Sequence, residues 1–180
     1  MMEPELTLPI NSNRDHLLGP QKAPVTLLEY GDYECPYCRQ ANLIVAKTVQ
    51  QLGNKMRFAF RNFPLSQIHP HAQHAAEAAE CAGAQNKFWE MHDILYENQE
   101  ALEDENLVEY AKILELDTSR FQDDFYNHTF ASRVREDFLS GIRNGVNGTP
   151  TFYINGMRYN DSWDRETLTK TLKDIINENV

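Results

Sequence analysis

The stretch Val25-Thr26-Leu27-Leu28-Glu29-Tyr30-Gly31-Asp32-Tyr33-Glu34-Cys35-Pro36-Tyr37-Cys38 decides the reading of this chain. Val25–Tyr30 is an apolar run of strand length, and the residues from Pro36 to about Gln51 follow a helical pattern closed by Gly53. The two cysteines therefore fall at a strand-to-helix junction. Pro36 suits the first helical turn because it has no N–H to leave unpaired. Backbone N–H groups without partners, and the helix dipole, stabilise negative charge at that end. A thiol placed there ionises more easily. Two thiols at this spacing can close a small disulfide ring, which suits thiol–disulfide exchange: one thiolate attacks and the other thiol resolves the mixed disulfide. Cys35, at the helix start, is the predicted nucleophile. Cys38, one turn further in, is predicted to be more buried and to resolve.

Working outward, Met56-Arg57-Phe58-Ala59-Phe60-Arg61 alternates and is rich in aromatics, so it reads as a second strand. The strand–helix–strand order predicts a βαβ unit with parallel strands and a right-handed crossover. Residues 1–24 are polar and carry Pro4, Pro9, Pro20 and Pro24, which predicts an extended lead-in. The middle is helical: Ala72, Ala75, Ala76 and Ala79 recur at helix spacing, as do Leu107, Tyr110, Ala111 and Leu114, and Val134, Phe138 and Ile142. Asp117 offers an N-cap. Thr151–Ile154, the turn signal Asn155-Gly156 and Met157–Tyr159 predict a hairpin. A last helix follows from about Asp164 to Asn177. The expected architecture is α/β, a four-stranded mixed sheet in βαβ–ββα order with helices on both faces. An all-helical insertion separates the halves: lead-in 1–24, sheet domain 25–66 and 145–180, insertion 67–144.

The 180 residues allow one domain, or one with a large insertion. A net charge of -10 argues against nucleic acid or an anionic membrane as partner. Three cysteines are too few for a disulfide-stapled scaffold. No segment is apolar enough to span a bilayer, and the start shows neither a basic nor an apolar leader region. The chain as written reads as cytosolic; a mature chain trimmed of a leader would read identically and would be periplasmic or otherwise extracytoplasmic.

The frame, the helical insertion, the segment Glu29 to Cys38 and Gly148-Thr149-Pro150-Thr151 together resemble the DsbA-like thiol–disulfide oxidoreductases, which have the thioredoxin fold. Ala78-Ala79-Glu80-Cys81-Ala82 through Lys87-Phe88-Trp89-Glu90-Met91-His92 is similar to the insertion of that family. The resemblance covers roughly residues 16 to 177. It implies a cis bond before Pro150, which lies against the cysteine pair, and a Thr149 backbone that meets a substrate peptide added as a short strand. It also implies an acid at Glu29. A carboxylate in this apolar strand has its pKa raised by desolvation and can relay the proton of Cys38.

Tyr33, Tyr37 and Pro150 are expected to form an apolar surface around the dithiol, with Tyr33 touching substrate. Tyr37 departs from the histidine of the strongly oxidising relatives and cannot supply a cation near neutral pH. Asp32 and Glu34 are expected to oppose the Cys35 thiolate. A less extreme thiolate and a milder oxidant are therefore predicted. Cys81 is expected to be a packed core thiol. Zinc is the competing use of the pair, with His69, His71, His74 and Cys81 as partners, but Pro70 separates two of the histidines and no second cysteine pair exists. No metal and no cofactor are expected. The predicted partners are protein thiols or disulfides and a redox partner that recycles the pair, acting on a monomer. The alternatives are a glutaredoxin-like reductase with glutathione as co-substrate, and a non-catalytic chaperone or binding module on the same frame.

Overall fold

The computed structural model describes residues 5–179. The first four residues of the expected lead-in lie outside it. Strands β1 (His16–Leu18), β2 (Val25–Gly31), β3 (Met56–Asn62), β4 (Thr151–Ile154) and β5 (Met157–Tyr159) form one sheet in the order β1-β3-β2-β4-β5. Helix α1 (Pro36–Leu52) joins β2 to β3, which run parallel. Helices α2 (Ala72–Gly83), α3 (Phe88–Glu97), α4 (Asp104–Ile113), α5 (Thr118–Tyr126) and α6 (Ala131–Arg143) precede β4, and α7 (Arg165–Glu178) closes the chain.

β2 is central and buried along its whole length, so its sequence is nearly continuous in apolar residues. Its side chains still alternate between faces. Val25 and Leu27 belong to the core that includes Cys38, Ala41 and Val45 of α1 and Leu168 and Leu172 of α7. Leu28 and Tyr30 point the other way, to Phe63, Val146 and Tyr153, with Phe138 of α6 packed against them. By this alternation Glu29 faces the side that carries the cysteines.

The local signals act as their chemistry requires. Gly53 closes α1 with a φ of 52°. Asn155 and Gly156 both take positive φ, 49° and 85°, the pattern of a type I′ turn between β4 and β5. The Asp117 carboxylate accepts the Arg120 N–H at the start of α5, and Asp164 accepts that of Thr167 at the start of α7.

The sheet has five strands where four were expected. β1 lies inside the stretch read as a lead-in and pairs antiparallel with β3. A buried polar anchor holds this segment. The Arg61 guanidinium donates to both carboxylate oxygens of Asp15, at 2.8 and 3.0 Å, and to the carbonyls of Leu8 and Pro9. Leu6 is buried, and its N–H donates to the Gly156 carbonyl. Three residues between polar neighbours carry too little periodicity to mark a strand, and the partners that hold it are distant in sequence.

Candidate active site

Cys35 is the N-cap of α1, in extended conformation with φ −74° and ψ 121°, and Pro36 begins the helix. Both cysteines are free thiols. Cys35 is 4 % exposed and Cys38 0 %, so the outer thiol is the one a partner can reach. The pKa of Cys35 is lowered to about 5. The hydrogen bond from the Cys38 thiol is the main cause, and the contact with Thr149 and the N–H groups of Cys38 and Tyr37 add to it against the cost of burial. Cys38 is pushed the opposite way, well above the usual thiol range, by burial, by its hydrogen bond to Cys35 and by the charges of Glu29 and Cys35. The Asp32 N–H points at its sulfur from 3.5 Å.

Glu29 lies in β2, opposite Phe60 on one side and Phe152 on the other. It is 1 % exposed, and its Oε1 has no hydrogen-bond partner. Desolvation first, and the nearby Cys35 charge second, raise its pKa to about 8. A carboxyl group there is mostly protonated at neutral pH, unlike an exposed glutamate.

The Thr149–Pro150 bond is cis, and Cys35 Sγ lies 3.6 Å from the Thr149 carbonyl oxygen. The chain before β4 therefore faces the thiol directly. Tyr37 is 61 % exposed beside it. A groove of about 650 Å³ runs away from Pro150 and is lined by Gln40, Ile44, Phe152 and Trp163.

Tyr33 does not join this surface. It is 1 % exposed, with its ring turned in against Phe60, His92 and Tyr96. Burial, with a lesser push from the His16 charge, drives the pKa of His92 down to about 3 and keeps it neutral. The Tyr33 hydroxyl donates to its Nδ1 at 2.9 Å, while Nε2 meets Asn42 Oδ1 at 3.2 Å. A large ring directly after the β2 turn gains more by filling the space between sheet and α3 than by facing water.

Asp32 and Glu34 do not oppose the thiolate as expected, because both carboxylates are turned elsewhere. Asp32 accepts the N–H groups of Glu34 and Leu65 and lies 2.8 Å from His69 Nδ1. Glu34 accepts the His71 N–H. Of the histidines named as zinc partners, His69 pairs with Asp32, His71 meets Glu34 through its backbone N–H and His74 pairs with Asp104 at the start of α4, so none of them is directed at the cysteines. Cys81 is fully buried, and its thiol is pushed up to about 12, mainly by desolvation.

Gln99, just beyond α3, carries no signal in the sequence. Its side-chain amide donates to the carbonyls of Tyr33 and Cys35, at 2.9 and 2.8 Å, and pins the loop that presents the nucleophile. Tyr96 donates to the Asp32 carbonyl beside it. The helical insertion is therefore a wall of the site.

A family model described as thioredoxin matches residues 11–174. The chain belongs to that family. BdbD from Bacillus subtilis (oxidised) superposes with a TM-score of 0.83 at 24% identity, over 98% of each chain. The α-DsbA1 of Wolbachia pipientis superposes with a TM-score of 0.80 at 20% identity, over 97% of this chain and 96% of that one. The fold is thus that of DsbA-type proteins, with the helical block between the halves of the sheet. Among curated relatives, a Na(+)/H(+) antiporter, NhaA 1 of Salinispora arenicola, is 45% identical over 165 residues, 92% of this chain but 25% of the antiporter. The chain thus spans about a quarter of the length of the curated relatives it matches first. Among the described residues, no helix is long and apolar enough to cross a membrane.

Proposed function

We propose that this protein exchanges disulfides with protein substrates through Cys35 and Cys38. The observation that carries the proposal is the opposed tuning of two neighbouring thiols, Cys35 at about 5 and Cys38 well above the usual range. In the reducing direction the Cys35 thiolate attacks one sulfur of a substrate disulfide. A mixed disulfide forms and the other substrate sulfur leaves as a thiolate. Cys38 then gives its proton to ionised Glu29 and attacks Cys35 Sγ. The second substrate sulfur leaves as a thiolate, both substrate thiolates take protons from solvent, and the protein keeps a Cys35–Cys38 disulfide with Glu29 protonated. The oxidising direction reverses each step, and Glu29 returns the proton. A pKa of about 8 lets Glu29 act as donor and acceptor near neutral pH.

The Thr149 backbone and Pro150 hold the substrate chain against Cys35, and Tyr37 and the groove beyond Pro150 take its flanking side chains. No organic cofactor enters these steps. Substrate identity, the recycling partner, the monomeric state and the compartment belong to the same proposal: an exported oxidase and a cytosolic reductase differ in potential, not in these steps.

The test is reduction of a disulfide-bonded protein and reoxidation of a reduced one. Cys35→Ser is expected to abolish both, and Cys38→Ser to accumulate mixed disulfides on non-reducing gels. Full activity in Cys35→Ser would overturn the assignment. Efficient reduction of a glutathione mixed disulfide by Cys38→Ser would move it to the glutaredoxin-like alternative. The non-catalytic binding alternative loses Tyr33 from its surface and predicts activity that survives removal of both thiols.

A further inference from the structure

Away from the dithiol, His74 and Glu77 lie three residues apart on α2, and His128 lies in the turn between α5 and α6. One nitrogen of each histidine and one Glu77 carboxylate oxygen are within 4.8 Å of one another. The geometry points to a binding site for a divalent cation of the zinc type, held by His74, Glu77 and His128. Two imidazoles and a carboxylate suit zinc and its late first-row neighbours, whereas calcium and magnesium take oxygen ligands.

Several features beyond proximity support it. Glu77 is 2 % exposed, a costly place for a carboxylate, and is held by Gln73 Nε2 at 3.2 Å and by His128 Nδ1 at 2.9 Å. Asp104 holds His74 Nδ1 at 2.7 Å, the outer carboxylate that fixes a ligand histidine and leaves Nε2 for the ion. The edge of Phe125 limits the His74 ring further. His128 has a φ of 52°, an unfavourable backbone state for a residue with a side chain, and this state aims its ring at Glu77. The field is also negative: Asp124, Glu77 and Glu80 all raise the neighbouring Cys81 thiol. The histidine side chains are 41% and 55% exposed, so an ion has a way in and a water can fill the fourth position. An ion there replaces the proton between His128 and Glu77 and ties α2 to the α5–α6 turn, within the helical block that supports the loop before Cys35.

The probe is Zn2+ alone, offered to the Cys35→Ser/Cys38→Ser protein so that the redox thiols cannot take it. After gel filtration in metal-free buffer, one equivalent per chain is expected by atomic absorption, with a higher Tm than the metal-free sample. His128→Asn, which tolerates the left-handed backbone and lacks the imidazole, is expected to lose both the zinc and the rise in Tm while keeping its circular dichroism spectrum. Asp104→Asn is expected to weaken retention by about tenfold. No zinc retained by the parent, or parental retention in His128→Asn and in His74→Ala, would overturn the site. Neither result bears on disulfide exchange.

Discussion

Cys35 and Cys38 are one helical turn apart, and their environments separate them into an ionised and a protonated thiol. Alkylation of reduced protein by iodoacetamide is therefore expected to follow a single ionisation with a midpoint of about 5, and Cys38 to stay unreactive to well above the usual thiol range. A midpoint near the model-thiol range of about 8.5 would remove the physical basis of the mechanism. Glu29 makes a separate prediction. Its folded pKa is raised to about 8 from 4.5, so between those values the folded protein holds a proton that the unfolded chain has released. Stability must fall as pH rises through that window and level off above it. The Cys35 thiolate has the opposite sign: its pKa is depressed in the folded state, so its contribution is complete above the unfolded thiol range and is lost as pH falls through about 5. Urea unfolding in a Cys35→Ser background separates the two. There a fall beginning at about pH 4.5 is expected to persist, ending below pH 8 because the Cys35 charge that helps raise Glu29 is gone, and Glu29→Gln is expected to flatten it. An unchanged slope in Glu29→Gln would mean that the carboxyl is not held neutral.

At the scale of elements, α6 and β3 meet without a spacer. A Cβ on Gly141 would lie 2.7 Å from two ring atoms of Phe63 and 3.2 Å from Tyr30. Alanine gains about 1 kcal/mol over glycine in a helix interior. Phe63 is 1 % exposed and stacked on Phe138, so its ring has no room to retreat, and overpacking costs about 1–3 kcal/mol. The clash outweighs the propensity, so Gly141→Ala is expected to lower the urea midpoint; a raised midpoint would show that the α6 contact can relax. Elements of this kind were only partly legible in the sequence. β2, α1 and the β4–β5 hairpin carry their own signals: an apolar run, a capped thiol pair with Pro36, and Asn155-Gly156. β1 carries none, because its strand character comes from pairing with β3 and from the Arg61–Asp15 anchor. Gln99 and the inward turn of Tyr33 were hidden for the same reason: each depends on where α3 packs, a long-range fact. The placement of the cysteine pair at the start of α1 was readable because a strand-to-helix junction marked by Pro36 is a local signal, whereas the acids Asp32 and Glu34 were misjudged because their partners, His69, Leu65 and His71, come from the loop before α2.

At the scale of the whole molecule, the tuning of one sulfur sets which redox form the fold prefers. In the reduced protein the Cys35 thiolate collects the Cys38 thiol and two backbone N–H groups. A disulfide gives up that charge and with it most of the strength of those hydrogen bonds. The cross-link offers little in return, since closing so short a ring removes little entropy from the unfolded chain. The folded pair should therefore be easier to reduce than the same pair in the unfolded chain, and by the thermodynamic cycle the reduced form should be the more stable one. Two terms oppose this, the buried Glu29 and the unionised Cys38, which both resist charge at the site. The resulting Cys35 value of about 5 falls between those of thioredoxin, about 7, and the strong oxidant DsbA, about 3.5. The potential should fall between theirs too, roughly -270 and -120 mV, with each tenfold gain in thiolate stability worth about 30 mV. Equilibration with glutathione buffers gives the potential, and melting of both redox forms gives the sign. A reduced form that melts higher, with a potential inside that interval, makes the protein a moderate oxidant wherever the surroundings allow. An oxidised form that melts higher, with a potential at or below about -270 mV, would mean that burial around Glu29 and Cys38 outweighs the thiolate, and the protein would then act as a reductant.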